Sequence, residues 1–183
     1  MVLIRDAQAG DASGIARVQV DSWQSTYPGL LPAAYLAGMS LKSTETRWRL
    51  ALPDRAPGRG TVVAVDAAGD VVGFASFGAE RQRLDGFQGE VYALYLQDDA
   101  KGQGIGRRLM AASAERMLEA GVRSAVVWCL SGNPTRWFYE RLGGTHLAER
   151  PDRFAGQEIV EVAYGWRDLA PLARCPEVGG DHG

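Results

Sequence analysis

The 183-residue sequence predicts an α/β (α+β) domain: a single mixed, twisted β-sheet with helices on both faces. Three observations predict it. Segments with strand and helix character follow one another in the order β α α β β β α β α β β. A strand–helix–strand unit at 90–130 demands a parallel pair, whereas the hairpins demand antiparallel pairs. No internal repeat or linker divides the chain, whose length suits one domain. Residues 1–170 are therefore expected to form the domain and residues 171–183 a flexible C-terminal tail.

The elements follow in order. V-L-I-R at 2–5 reads as a short strand. Asp11 is placed to cap a helix running to about Ser25, with Ile15, Val18 and Ser22 on one stripe. Tyr27-Pro28-Gly29 breaks it. A second helical region spans about Pro32 to Leu52, interrupted near Gly38-Met39-Ser40, and its later half carries Leu41, Thr44 and Trp48 at helical spacing. P-D-R-A-P-G-R-G at 53–60 is a loop. T-V-V-A-V-D at 61–66 and D-V-V-G-F-A-S-F at 70–77 flank a hairpin turn. Gly73 signals a bulge or a close approach. A polar loop at 80–89 precedes the strong strand E-V-Y-A-L-Y-L at 90–96. A helix from about Gly104 to Ala120 is closed by Gly121. S-A-V-V-W-C-L at 124–130, unbroken in its apolar character, reads as a buried strand. Asn133-Pro134 opens a helix to about Leu142, with proline in a tolerated first turn, and Gly143-Gly144 stops it. Segments 145–149 and 158–164 are the last strands.

Composition narrows the function. Charged residues make up 23% with a net charge of −2, and Lys and Arg are scattered, so no nucleic-acid partner is expected. Two histidines and two distant cysteines, Cys129 and Cys175, argue against a zinc site and a histidine-based triad, so no metal is expected. The start lacks a basic then apolar leader, and no apolar run nears the roughly 20 residues that cross a bilayer. A cytoplasmic protein with reduced thiols and no membrane contact is the expectation.

The chemistry concentrates at 90–109, E-V-Y-A-L-Y-L-Q-D-D-A-K-G-Q-G-I-G-R-R-L. A strand ends, three glycines follow, and a helix starts. Glycines let backbone N–H groups face a ligand, and a helix start supplies unpaired donors and partial positive charge. The combination suits a phosphate or pyrophosphate, and Lys101, Arg107 and Arg108 add positive charge. The helix opens Gly-Arg-Arg, unlike a P-loop. The spacing G-x-G-x-G differs from the dinucleotide fingerprint.

K-G-Q-G-I-G at 101–106 resembles the pyrophosphate motif of the GNAT superfamily of N-acetyltransferases, written [RQ]-x-x-G-x-[GA], with Lys101 where that family has Arg or Gln. N-P-T-R-W-F-Y-E-R-L-G at 133–143 is similar to its later N-x-x-A-x-x-F-Y-x-x-L-G helix, one residue shorter between Asn133 and Tyr139. The opening I-R-D-A-Q-A-G-D-A and closing Y-G-W-R-D-L also look like the family's ends, so the resemblance spans roughly residues 2–169.

The resemblance implies acetyl-CoA as acetyl donor, lying in a gap that follows a bulge in the fourth strand. Backbone groups of Leu94, Tyr95 and Leu96 would pair with the pantetheine arm. Lys101, Gly102, Gln103, Gly104, Ile105, Gly106 and Arg107 would hold the pyrophosphate, and Asn133 would stand beside the cofactor. Tyr139 would protonate the leaving thiolate. Glu90 is the candidate base, and Tyr92, on the same strand face by period two, would help to order water. Trp23, Tyr27, Tyr35 and Trp48 form a candidate aromatic group for a small cationic amine acceptor. A protein N-terminal or lysine acetyltransferase, or a non-catalytic acyl-CoA sensor of the same fold, stays open, as does a homodimer.

Overall fold

The computed structural model of the chain describes residues 1–174. Seven strands join one sheet: β1 (Leu3–Asp6), β2 (Gly60–Val65), β3 (Val71–Ala79), β4 (Gly89–Leu96), β5 (Ala125–Leu130), β6 (Thr145–Phe154) and β7 (Gln157–Trp166). Their order is β1-β2-β3-β4-β5-β7-β6, and only β4–β5 is parallel. The helices are α1 (Ala12–Thr26), α2 (Ala33–Ala37), α3 (Leu41–Ala51), α4 (Ile105–Glu119), α5 (Arg136–Arg141) and α6 (Ala170–Ala173). This is the mixed sheet that the pattern predicts.

Helices cover both faces because strand side chains alternate. On one face Val63, Val65, Val71 and Phe74 pack with Ile15 and Val18 of α1 and with Leu52 just after α3. On the other Val62, Ala64, Ala75 and Val91 pack with Ile105, Leu109 and Met117 of α4 and with Leu172 of α6. A third cluster joins Tyr27, Leu31 and Leu36 to Trp23, Leu130, Phe154 and Ile159, fastening α1 and α2 to the β6–β7 hairpin.

Three register shifts interrupt the ladders; one lies in β6–β7 between His146 and Ala148, and the other two shape the middle of the sheet. In β2–β3, Ala64 faces Gly73 but Val65 faces Val71, so Val72 is the extra residue. Gly73 is both things its sequence suggests: it borders a bulge, and a Cβ there would come within 3.1 Å of Leu96 Cγ. In β3–β4, Ser76 faces Ala93 but Phe77 faces Val91, so Tyr92 is extra. A bulge inverts the pleat. Val91 therefore packs on the α4 face together with Leu94 and Leu96, while Ala93 and Tyr95 turn to the α1 face.

Several local expectations need correction. Asp11 makes no side-chain cap on α1. Its carboxylate instead accepts from the Gln8 backbone N–H at 2.7 Å and pairs with both terminal nitrogens of Arg5. Ser40 does cap α3, accepting from Ser43 N–H. Pro134 lies ahead of α5 in a separate turn rather than in its first turn. Strand β6 continues through Pro151 to Phe154. It is an edge strand, where a missing N–H costs no ladder bond. Residues 171–173, expected in a loose tail, lie in α6 with Leu172 buried. Residues 175–183 of that tail, with Cys175 and His182, lie outside the described residues.

Candidate functional site

The parallel ladder between β4 and β5 holds only Gly89–Ala125, Glu90–Val126 and Val91–Val127. Beyond it the strands part, and a cleft of about 700 Å³ opens between them. The sequence read β5 as wholly buried, but Trp128 and Cys129 are half-buried because they border this opening, and Leu130 is half-buried against the cluster of Tyr27, Leu31 and Leu36. Leu94, Tyr95 and Leu96 lie on the free edge of β4 and line the cleft. The Leu96 carbonyl already accepts from the Ser22 hydroxyl at 2.8 Å, which ties α1 to the rim.

At one end of the cleft the chain turns into α4. Gly102 and Gly104 have φ of +75° and +74°, the left-handed region that L side chains avoid. That geometry lets the chain turn sharply ahead of α4, whose first-turn N–H groups have no earlier helical carbonyl. Lys101, Gly102, Gly104, Ile105, Gly106 and Arg107 all line the cleft. Gln103 does not; its side chain bends back to the Asp99 carbonyl at 2.7 Å. Lys101 also pairs with Asp98, and that contact holds the Asp98 carboxyl below the usual range. Arg108 is turned away from this end and donates to the Val2 carbonyl at 3.0 Å.

Tyr139 reaches the cleft from α5 and is 4% exposed. Two bonds fasten that helix to β7: Tyr164 donates to Glu140 at 2.9 Å, and Trp166 Nε1 donates to the Leu142 carbonyl at 2.9 Å. Burial pushes the Tyr139 phenol well above the ordinary tyrosine range, so it stays protonated and available as a donor. Tyr27 is raised likewise, by burial first and then by Tyr95. Burial pushes the Cys129 thiol up to about 12, which leaves it a neutral wall group and no nucleophile near neutral pH. Asn133 lines the cleft too, but its side-chain oxygen accepts from Thr135 N–H at 3.0 Å and so shapes the turn before α5.

Glu90 is not placed as the sequence expects. Its side chain is 3% exposed, both carboxylate oxygens are held by Arg81, and it does not border the cleft. Tyr92 does line the cleft, and although it is the bulged residue it keeps to the side of Glu90, its ring lying against Gly78, the cross-strand partner of Glu90. Arg81 links the two, its guanidinium 4.1 Å from the Tyr92 ring centre. Of the aromatic group, Trp23, Tyr27 and Tyr35 gather as expected, joined by Tyr95 and Phe154. Trp48 does not join them; it packs on Phe74 and donates to Gln19 at 2.7 Å, within the α1–α3 core.

Sequence reasoning missed Trp128, Arg150 and Glu161. Arg150 stacks on Trp128 at 4.1 Å and pairs with Glu161 at 2.6 Å. Only the three-dimensional pairing of β5, β7 and β6 brings them together. A smaller hollow of about 270 Å³ lies beside β1 and the end of α3. Its charges are satisfied internally, Asp6 by Arg116 and Asp54 by Arg59. No described helix is long and apolar enough to cross a membrane.

Known proteins are similar to this chain in sequence and in fold. The model of the acetyltransferase (GNAT) family matches residues 20–144. The uncharacterized N-acetyltransferase YuaI of Bacillus subtilis is 40% identical over 172 residues, covering 94% of this chain and 96% of its own. The L-methionine sulfoximine/L-methionine sulfone acetyltransferase of Pseudomonas aeruginosa is 33% identical, covering 94% and 98%. In fold, the chain is similar to the GNAT superfamily phosphinothricin acetyltransferase of Sinorhizobium meliloti, solved with acetyl-CoA. That match has a TM-score of 0.65 at 24% identity and covers 90% of this chain and 87% of that one.

Proposed function

Because this chain belongs to the acetyltransferase (GNAT) family, we propose that it moves the acetyl group of acetyl-CoA to the nitrogen of a small primary amine. Both substrates are held at once and the amine attacks directly. The observation that carries this reading is the seam that opens beyond Val91 and Val127 and ends at a left-handed glycine turn and a helix start.

The residues divide the work. The free β4 edge at Leu94, Tyr95 and Leu96 offers backbone groups to the pantetheine amides. The loop from Lys101 to Arg107 takes the diphosphate. A backbone donor on the β4 edge faces the thioester oxygen as it gains negative charge; such placed donors are worth about 3–4 kcal/mol in a transition state. The acceptor enters as an ammonium, and two of its three protons must leave. One goes to solvent before attack. As the C–N bond forms and the C–S bond breaks, Tyr139 gives its hydroxyl proton to the departing sulfur and regains one from the nitrogen. The protonated Cys129 supports direct attack over an acyl-enzyme. That the Pseudomonas relative acetylates methionine sulfoximine supports a small-molecule acceptor.

Free thiol released from acetyl-CoA across a panel of primary amines tests the transfer; binding without release to any amine would leave a binding protein only. Acetyl-CoA at a hundred times its Kd should stabilise the fold by about 2.7 kcal/mol. Gly104→Glu, which strains the left-handed turn and sets a carboxylate against the diphosphate, should abolish that gain. A surviving gain would remove the loop from the site.

A further inference from the structure

The two strands that part each present an aromatic residue to the cleft, and an arginine from a neighbouring segment stacks on it. Arg81, in the loop before β4, lies over Tyr92 of β4 at 4.1 Å; Arg150, on β6, lies over Trp128 of β5 at 4.1 Å. Each guanidinium is anchored by a carboxylate. Arg81 donates through Nε and Nη2 to Glu90 at 3.2 and 2.7 Å, and its backbone N–H adds a third bond at 3.1 Å. Arg150 donates through Nε and Nη2 to the same oxygen of Glu161, at 2.9 and 2.6 Å. Tyr92 is locked in turn. Its hydroxyl donates to the Ala79 carbonyl at 2.6 Å, and its ring fills the space beside Gly78 that any Cβ would take.

Glu90, Trp128 and Glu161 alternate along their strands with Val91, Val127 and Val162, which pack toward α4. All three therefore face the α1 side of the sheet, and Arg150 pairs with Glu161 across β6–β7 on that same side. The Glu161 charge reaches Arg81 as well as Arg150. Among the described residues, Nη1 of neither arginine makes a hydrogen bond. The Arg81 side chain is 57% exposed although its anchor is 3% exposed. Ion pairs buried in this way contribute little to stability by themselves. Two oriented guanidinium groups with donors to spare suit a planar anion instead.

We infer that Arg81 and Arg150 form a clasp for an anionic group on the acceptor, so that the preferred acceptor is an amine bearing a carboxylate or a group of like charge and shape. This rests on the proposed transfer and narrows its substrate class. Glu90 and Glu161 are then positioning residues that hold the two guanidinium groups over Tyr92 and Trp128.

The test compares α-amino acids with the matched amines that lack the carboxylate, using the full-length protein and acetyl-CoA. The wild type should favour the amino acid of a pair by about tenfold or more in kcat/KM, the scale of a charge-assisted hydrogen bond. Arg81→Met and Arg150→Met should each erase most of that ratio, chiefly through KM for the amino acid, and Arg81→Lys should restore part of it. Retained stabilisation by acetyl-CoA certifies that a variant is folded. Equal use of both members by the wild type, or a ratio untouched in both methionine variants, overturns the clasp. Failure of every amine, with or without carboxylate, would overturn the transfer reading instead.

Discussion

Strand β4 has two edges, and they behave in opposite ways. Toward β3 it is paired from Gly73–Leu96 to Ala79–Gly89, interrupted only at Tyr92. Toward β5 it is paired for three residues and then released. The same side chains serve both edges, so composition does not separate them. The β3 side is sealed by α1 and α4, which pack across it on opposite faces. On the β5 side, α5 is short and stands back behind Tyr139 and Phe138. A sheet opens where its covering helices stop reaching across, and the backbone groups left there become a binding surface.

Three substitutions probe that contrast. The largest expected effect lies in the closed half. Ile15→Ala removes a fully buried side chain under the sealed seam and should cost about 2–5 kcal/mol in urea unfolding, while the increment from acetyl-CoA persists. Loss of that increment too would mean that the halves are not separable. Next, Tyr139→Phe keeps the packing of α5 and deletes one hydroxyl. It should lower kcat about a hundredfold, at the low end of general-acid effects, with acetyl-CoA affinity nearly unchanged; an unaltered kcat removes Tyr139 as the acid. Smallest is Asp11→Asn in the closed half, expected to cost about 1–2 kcal/mol near neutral pH. Arg5 holds the Asp11 carboxyl below its usual value. Its contribution is therefore present above the unfolded pKa of about 3.9 and lost as pH falls through the folded one. The difference between wild type and variant should close in acid; a gap independent of pH would assign the cost to packing.

What the sequence revealed divides along the same line. The glycines at 102, 104 and 106, the strand before them and the helix after them are local features, and local chemistry announces them. Tyr139 was legible through its F-Y-E-R-L-G surroundings. Residues whose task depends on a distant partner were not. Glu90 reads as a strand-end acid until Arg81 folds back across the loop to cover it. Trp48 has the spacing of a helical stripe, and spacing alone does not say that Phe74 receives it. Arg107 and Arg108 are neighbours in sequence, but a helix turns them about 100° apart, and only Arg107 lines the cleft. The bulge at Tyr92 has no residue signature of its own, because it needs no particular residue; only the family resemblance implied a bulge in the fourth strand. The sequence reading ends a strand at 149, and the position of β6 at the sheet edge lets it run on through Pro151 to Phe154.

The supernumerary residue in β4 also bears on the frame of the strand. Were Tyr92 deleted, Val91 and Ala93 would become neighbours opposite Phe77 and Ser76, and each already points to the side that a regular ladder gives it. Loss of that codon would therefore leave Glu90 beneath Arg81 and Val91 among the valines, and would remove only the ring that fills the space beside Gly78. Loss of either neighbouring codon would leave Tyr92 to take up the missing place in the ladder, so the strand carries one residue of slack at the point where the sheet begins to open.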